Sequence, residues 1–166
     1  MSAIIDKIEI DCTPEKVFDT LVFFFRATEN YKLWHKDHIA CYWKKGKEFS
    51  PGSVLMAEEY IHGKLHKLGF KIINFKKNDI LEYKVLFPFS IICSGGYFQS
   101  ASKGNKTEFI AQLNFRLGSL LKALFKKEME ALKNHMQEEG ENIKGFIEKK
   151  HSKGINSLMC IINKNK

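Results

Sequence analysis

Six histidines are spread over the 166 residues, and five of them stand at spacings that bear on chemistry. His62 and His66 are four apart, the spacing at which a helix offers two imidazoles to one zinc ion, but Gly63 lies between them at a predicted turn and removes that geometry. They read as exposed or strand-face side chains. His35 and His38 follow Trp34 in a predicted loop, where a metal would still need a carboxylate or a third imidazole, and only Asp37 is close in sequence. His135 and Glu139 are one helical turn apart and have the spacing of a hydrogen-bonded acid/base pair, but they flank an apolar stripe and read as a surface pair. Glu58 and Glu59 are neighbours in a predicted strand, whose successive side chains point to opposite faces. One of them can therefore point inward as a base of raised pKa, whereas at a sheet edge both stay in water. Tyr60, Tyr83 and Tyr97 complete the groups able to touch a proton. A pocket tyrosine, with an ordinary pKa of about 10, more often orients a ligand than transfers a proton.

Other chemical signatures are missing. There is no Ser-His-Asp order, nucleophile elbow, phosphate loop or dinucleotide fingerprint, and Gly95-Gly96 lacks a third glycine and a following helix. Cys12, Cys41, Cys93 and Cys160 have no CxxC spacing and read as buried, reduced thiols rather than zinc ligands or a disulfide framework. The expectation from these residues is no metal and no cofactor.

The elements that must position such groups are organised around a stretch from about Ser119 to Lys150. Leu121, Phe125, Met129, Leu132, Met136, Ile143 and Ile147 recur there in steps of three and four or their sum, so they share one face of a helix about 45 Å long. Such a helix must lie across something and bury its stripe. Gly140 and Gly145 each cost roughly 1 kcal/mol against Ala and mark where it could kink or end. Upstream, Ile4, Ile8 and Ile10 alternate with Lys7, Glu9 and Asp11 in a half-buried strand, and Thr13-Pro14-Glu15 opens a helix with Thr13 as N-cap. A second short helix spans Thr28 to Trp34. Strands then follow at Ile39 to Lys44, Ser53 to Ile61, Leu65 to Phe75, the alternating Leu81, Tyr83, Val85 and Phe87, Ile91 to Ser100 with a bulge at Gly95-Gly96, and Thr107 to Leu117. Consecutive strands on short turns pair as an antiparallel meander, and the long helix is the element able to cover its apolar face.

Composition agrees with a folded, soluble chain. Apolar residues make up 44% and include 14 Phe, enough to fill a core or line a pocket. No stretch approaches the roughly 18 uninterrupted apolar residues of a membrane span, and Asp6, Lys7 and Glu9 interrupt the start as a signal peptide, so the expected location is cytoplasmic. The net charge is +8 and the pI about 9.2, yet only Arg26 and Arg116 offer the planar fork suited to phosphate and bases, and the lysines are dispersed. A solvated surface with no nucleic-acid partner is the reading, with an anionic membrane surface or an acidic ligand as the alternative.

The run Thr13-Pro14-Glu15-Lys16-Val17-Phe18 resembles the START-like (SRPBCC) superfamily, which includes polyketide cyclases and lipid carriers. So do Tyr31 and Trp34, Trp43 with Gly46 and Phe49 before Pro51-Gly52-Ser53, the Gly95-Gly96-Tyr97-Phe98 strand and the His135 to Lys144 helix. The resemblance spans nearly the whole chain to about Lys150 and implies an α+β helix-grip fold, in which a curved seven-stranded antiparallel sheet wraps the C-terminal helix around a hydrophobic cavity. It licenses no catalytic residue. Residues 1–150 are thus expected to form one ligand-binding domain, and 151–166 a tail without a counterpart in the family. Alternation and helical period point Phe70, Ile72, Leu81, Tyr83, Val85, Phe98, Phe109, Ala111, Leu113 and Phe115 inward, met by Phe125, Met129, Leu132 and Met136 from the helix. The expected function is binding or transport of a lipid, sterol-like or polyketide-like molecule by a monomer or homodimer. The alternatives are a cyclase, dehydratase or hydrolase acting on such a ligand, or a protein-interaction module.

Overall fold

A computed structural model describes residues 2–116 and 125–152, with the side chains of 150–152 left aside. In chain order the elements are β1 (Ser2–Ile10), α1 (Pro14–Phe24), α2 (Thr28–Trp34), β2 (His38–Lys45), β3 (Val54–Ile61), β4 (Lys64–Lys76), β5 (Ile80–Val85), a 3-10 turn (Phe89–Ile91), β6 (Cys93–Lys103), β7 (Lys106–Phe115) and α3 (Lys126–Ser152). The seven described strands form one sheet in the order β1-β7-β6-β5-β4-β3-β2. Every pairing is antiparallel, as short turns dictate. His62 and Gly63 join β3 to β4 with φ of 55° and 70°, the left-handed pair that matches the twist of a two-residue hairpin.

Pro14 begins α1 as expected, but the Thr13 side chain makes no capping hydrogen bond; its carbonyl instead accepts from the Lys16 and Val17 amides. Val17, Phe18, Leu21 and Phe24 are fully buried against Ile10, Phe109, Ile143 and Ile147, so α1 closes one end of the concave face with the C-terminal half of α3. The smaller cluster of Ile4, Ala111, Phe115 and Met136 lies nearer the start of α3. β5 ends at Val85, and Phe87, expected to continue its alternation, is 80% exposed.

Helix α3 runs unbroken through Gly140 and Gly145. A Cβ on Gly140 would stand 2.5 Å from Asp6 Oδ2, so glycine there lets the helix approach β1. The expected helix start at Ser119, and Leu121 on its stripe, lie outside the described residues.

Candidate functional site

Between the sheet and the N-terminal half of α3 lies a cavity of about 610 Å³. Its walls are apolar side chains of β3 to β7, including Leu55, Phe70, Ile72, Leu81, Val85 and Phe98, faced by Phe125, Met129, Leu132 and Met136. The exposed side chains of His62, Lys64 and Lys127 also reach it and make a polar rim. One part of the wall is polar although buried, and is formed by Tyr31, Glu59, His135 and Glu139.

Four elements assemble this polar wall. Glu59 follows Leu55 and Ala57 on the inner face of β3, while its neighbour Glu58 turns outward and meets Lys67 Nζ at 3.0 Å. His38 pairs directly opposite Glu59 in β2, and a register shift between His38 and Ala40 lets both His38 and Cys41 turn inward despite their odd spacing. His135 and Glu139 project from one side of α3. Trp34 at the end of α2 is buried against Phe24, stacked at 5.4 Å, and donates from Nε1 to the Glu139 carbonyl at 3.0 Å, which fastens α2 to α3.

The hydrogen bonds define proton positions. A carbonyl only accepts, so His38 Nδ1–H donates to Tyr31 O at 3.1 Å, while its Nε2 is hydrogen-bonded to Glu139 Oε1 at 3.0 Å and lies 3.5 Å from Glu59 Oε2. Tyr31 Oη–H donates to Glu59 Oε2 at 3.0 Å, and its ring stacks on His38 at 3.8 Å. His35 is fully engaged, with Nδ1 accepting the Asp37 amide at 3.1 Å and Nε2 bonded to Glu138 at 3.0 Å. His135 Nε2 lies 3.7 Å from Glu59 Oε2 and 3.9 Å from Glu139 Oε1, too far for a hydrogen bond, and is buried without a partner.

Charge follows this packing. Burial works against a charged His135, but Glu59 and Glu139 outweigh it and hold its pKa up to about 9. Burial likewise pushes Glu59 up, yet His135, His38 and the Tyr31 hydroxyl outweigh it and hold its carboxyl below the usual range. Burial first, then the nearby carboxylates, drive the Tyr31 phenol well above its ordinary value, so it stays a neutral donor. Burial lowers His35, opposed by Glu138. Cys41 and Cys12 stay out of this chemistry, since burial pushes their thiols up to about 12 and about 11.

At the level of sequence, no family model and no curated relative matches the chain. Its backbone, however, superposes on solved structures over nearly its full length. An aromatase/cyclase from Streptomyces sp. R1128 matches with a TM-score of 0.71 at 10% identity, covering 90% of this chain and 94% of the other. Norcoclaurine synthase from Thalictrum flavum, in complex with dopamine and hydroxybenzaldehyde, matches with 0.68 at 7% identity, covering 89% and 87%. Ara h 8.0201 matches with 0.66 at 14% identity, covering 88% and 97%. The chain carries the helix-grip fold, a seven-stranded antiparallel sheet with a long C-terminal helix, that these structures share.

In this fold the cavity is lined by all the residues named from sequence except one. Phe109 points inward but is 1% exposed in the cluster beneath α1, stacked on Phe98 at 6.0 Å, because α1 and the C-terminal half of α3 fill the concave face at its end. His62 and His66 reach the cavity without joining a cluster of metal-capable atoms, and no signal beyond Gly63 was available to place them. The reading of His135 and Glu139 as a surface pair is corrected: their side chains are 9% and 14% exposed, because α2 and the turn after it cover that flank of the helix. Sequence reasoning also left His35 and His38 as an incomplete loop pair. Alternation in β3 could not separate Glu58 from Glu59, because Val54 and Met56 are as apolar as Leu55 and Ala57.

Proposed function

We propose that the protein binds an apolar small molecule in this cavity, with a polar group of the ligand directed at the wall of Tyr31, Glu59, His135 and Glu139. The observation that carries the reading is an apolar enclosure of about 610 Å³ with one buried polar patch, a size and polarity within the range of ligand pockets. Apolar burial supplies affinity at roughly 25 cal/mol per Å², and the polar patch supplies orientation. The solved structures of like fold include an aromatase/cyclase and a synthase seen with two small aromatic compounds, which supports small-molecule occupancy of this architecture. A second reading is favoured by one observation: a carboxylate held ionised beside an imidazole held protonated at a cavity wall is an acid/base pair. That reading makes the chain an enzyme acting on the same class of ligand.

Titration of a fluorescent fatty acid into the purified chain is expected to give saturable uptake. Leu132→Asp places a carboxylate on the cavity wall from a half-buried position, and desolvating it costs several kcal/mol unless it is protonated. Probe affinity should then fall at least about tenfold, the equivalent of 1.4 kcal/mol, while the circular dichroism spectrum is kept. No uptake by folded wild-type protein would count against the binding reading, as would unchanged affinity in folded Leu132→Asp.

A further inference from the structure

We infer that His38, His135, Glu59 and Glu139 form a binding site for one divalent transition-metal ion of the zinc class, set into the wall of the cavity. Three features lead there, and none depends on what fills the cavity.

The first is the size of the cluster. Going round its members, His38 Nε2 to Glu139 Oε1 is 3.0 Å, Glu139 Oε1 to His135 Nε2 is 3.9 Å, His135 Nε2 to Glu59 Oε2 is 3.7 Å and Glu59 Oε2 to His38 Nε2 is 3.5 Å. Bonds of about 2.0–2.2 Å to a tetrahedral ion place neighbouring ligand atoms about 3.3–3.6 Å apart, so each of these four separations lies within about 0.3 Å of that shell. The two cross pairs fall within 4.8 Å. Small side-chain rotations close the set around an ion.

The second is the arrangement of protons and lone pairs. His38 donates its Nδ1–H to a backbone carbonyl, which is how a metal-ligating histidine is fixed in the tautomer that frees the other nitrogen. Its Nε2 then faces two carboxylate oxygens and is bonded to Glu139 through a proton, which a bound cation would replace. His135 Nε2 points into the same space and has no hydrogen-bond partner although the residue is nine-tenths buried. Tyr31 Oη holds Glu59 from outside the set.

The third is the chemistry of the donors. Two imidazoles select a transition metal over calcium or magnesium, and two carboxylates balance a double positive charge in a site whose side chains are 0–14% exposed. His35 has its ring only 4.3 Å from that of His135, but its nitrogens are bonded to Glu138 and the Asp37 amide, outside the four ligands, so it lines the site without entering it.

The test is metal uptake by the full chain after treatment with a chelator. Equilibrium dialysis against zinc should give one equivalent bound per chain, and cobalt should show the intense visible d–d bands of a tetrahedral ion. His38→Ala and Glu139→Gln should each weaken zinc binding at least about tenfold, and His62→Ala, whose imidazole lies at the cavity rim, should leave it unchanged. X-ray absorption of the zinc-loaded wild type should report a shell of nitrogen and oxygen at about 2.0–2.2 Å, a readout that stands if a variant fails to fold. The site is refuted if folded wild type takes up neither ion at micromolar concentration, if the shell contains sulfur, or if folded His38→Ala and Glu139→Gln bind as wild type does. Fatty-acid uptake without metal uptake would overturn this site and leave the cavity reading standing; metal uptake without fatty-acid uptake would do the reverse.

Discussion

Gly96→Ala is expected to remove at least about 3 kcal/mol of stability, a large part of the 5–15 kcal/mol that holds a typical domain together. A Cβ at Gly96 would lie 1.9 Å from the Gln112 carbonyl oxygen and 2.9 Å from its carbon, both backbone atoms of the adjoining strand β7. Neither can rotate away as a side-chain tip could. Relief requires the β6–β7 ladder to separate where Gly96 pairs with Leu113, between two interior strands of the sheet. The preceding residue is constrained in the same way, since Gly95 has φ of +145° and its Cβ would stand 2.2 Å from the Tyr83 carbonyl oxygen of β5. Gly145→Ala supplies the contrast. It sits within α3 with nothing within 4 Å of its added Cβ, so alanine should stabilise by about 0.5–1 kcal/mol through helix propensity. Urea denaturation of the three proteins measures both effects, and a Gly96→Ala midpoint close to wild type would show that β7 yields where the packing says it cannot.

Trp34→Ala should cost about 3–5 kcal/mol, the range for deleting a buried large aromatic. Trp34 is 2% exposed, stacked on Phe24 at 5.4 Å with an interplanar angle of 6°, and set edge-on to Phe25 at 5.4 Å. Its indole N–H also reaches the Glu139 carbonyl in α3. Trp34→Phe weighs the two contributions, because it keeps most of the apolar volume and removes the hydrogen bond, worth about 1 kcal/mol. The same denaturation experiment, read by far-ultraviolet circular dichroism, should therefore rank wild type above Trp34→Phe and Trp34→Phe well above Trp34→Ala. A loss under 1 kcal/mol in Trp34→Ala would mean that α2 is not pinned to α3 through this ring. The consequence reaches the cavity wall, since Trp34 is what holds the His135 to Glu139 turn of α3 against the polar cluster.

The element order, the antiparallel pairing and the inward faces of β4 to β7 were legible in the sequence because each rests on local rules. Period two in a strand and period 3.6 in a helix state which side chains share a face, and short turns leave consecutive strands no partner but one another. Those rules do not say what a face meets. Phe109 and Phe98 are both inward residues of adjacent strands, yet α1 packs over the first and leaves the second at the cavity, a decision made by a helix more than eighty residues away in sequence. The polar wall was hidden for the same reason. His38 and Glu139 are 101 positions apart, His35 and Glu138 are 103, and each alone reads as an ordinary surface or loop side chain. The irregular step in β2 that turns both His38 and Cys41 inward leaves no trace in the hydrophobic pattern. What the sequence determined by itself was therefore the set of faces; what only the tertiary structure decided was that α2 and its turn cover one flank of α3, replacing water with protein around His38, Glu59, His135 and Glu139 and giving ordinary surface groups a shared, desolvated charge.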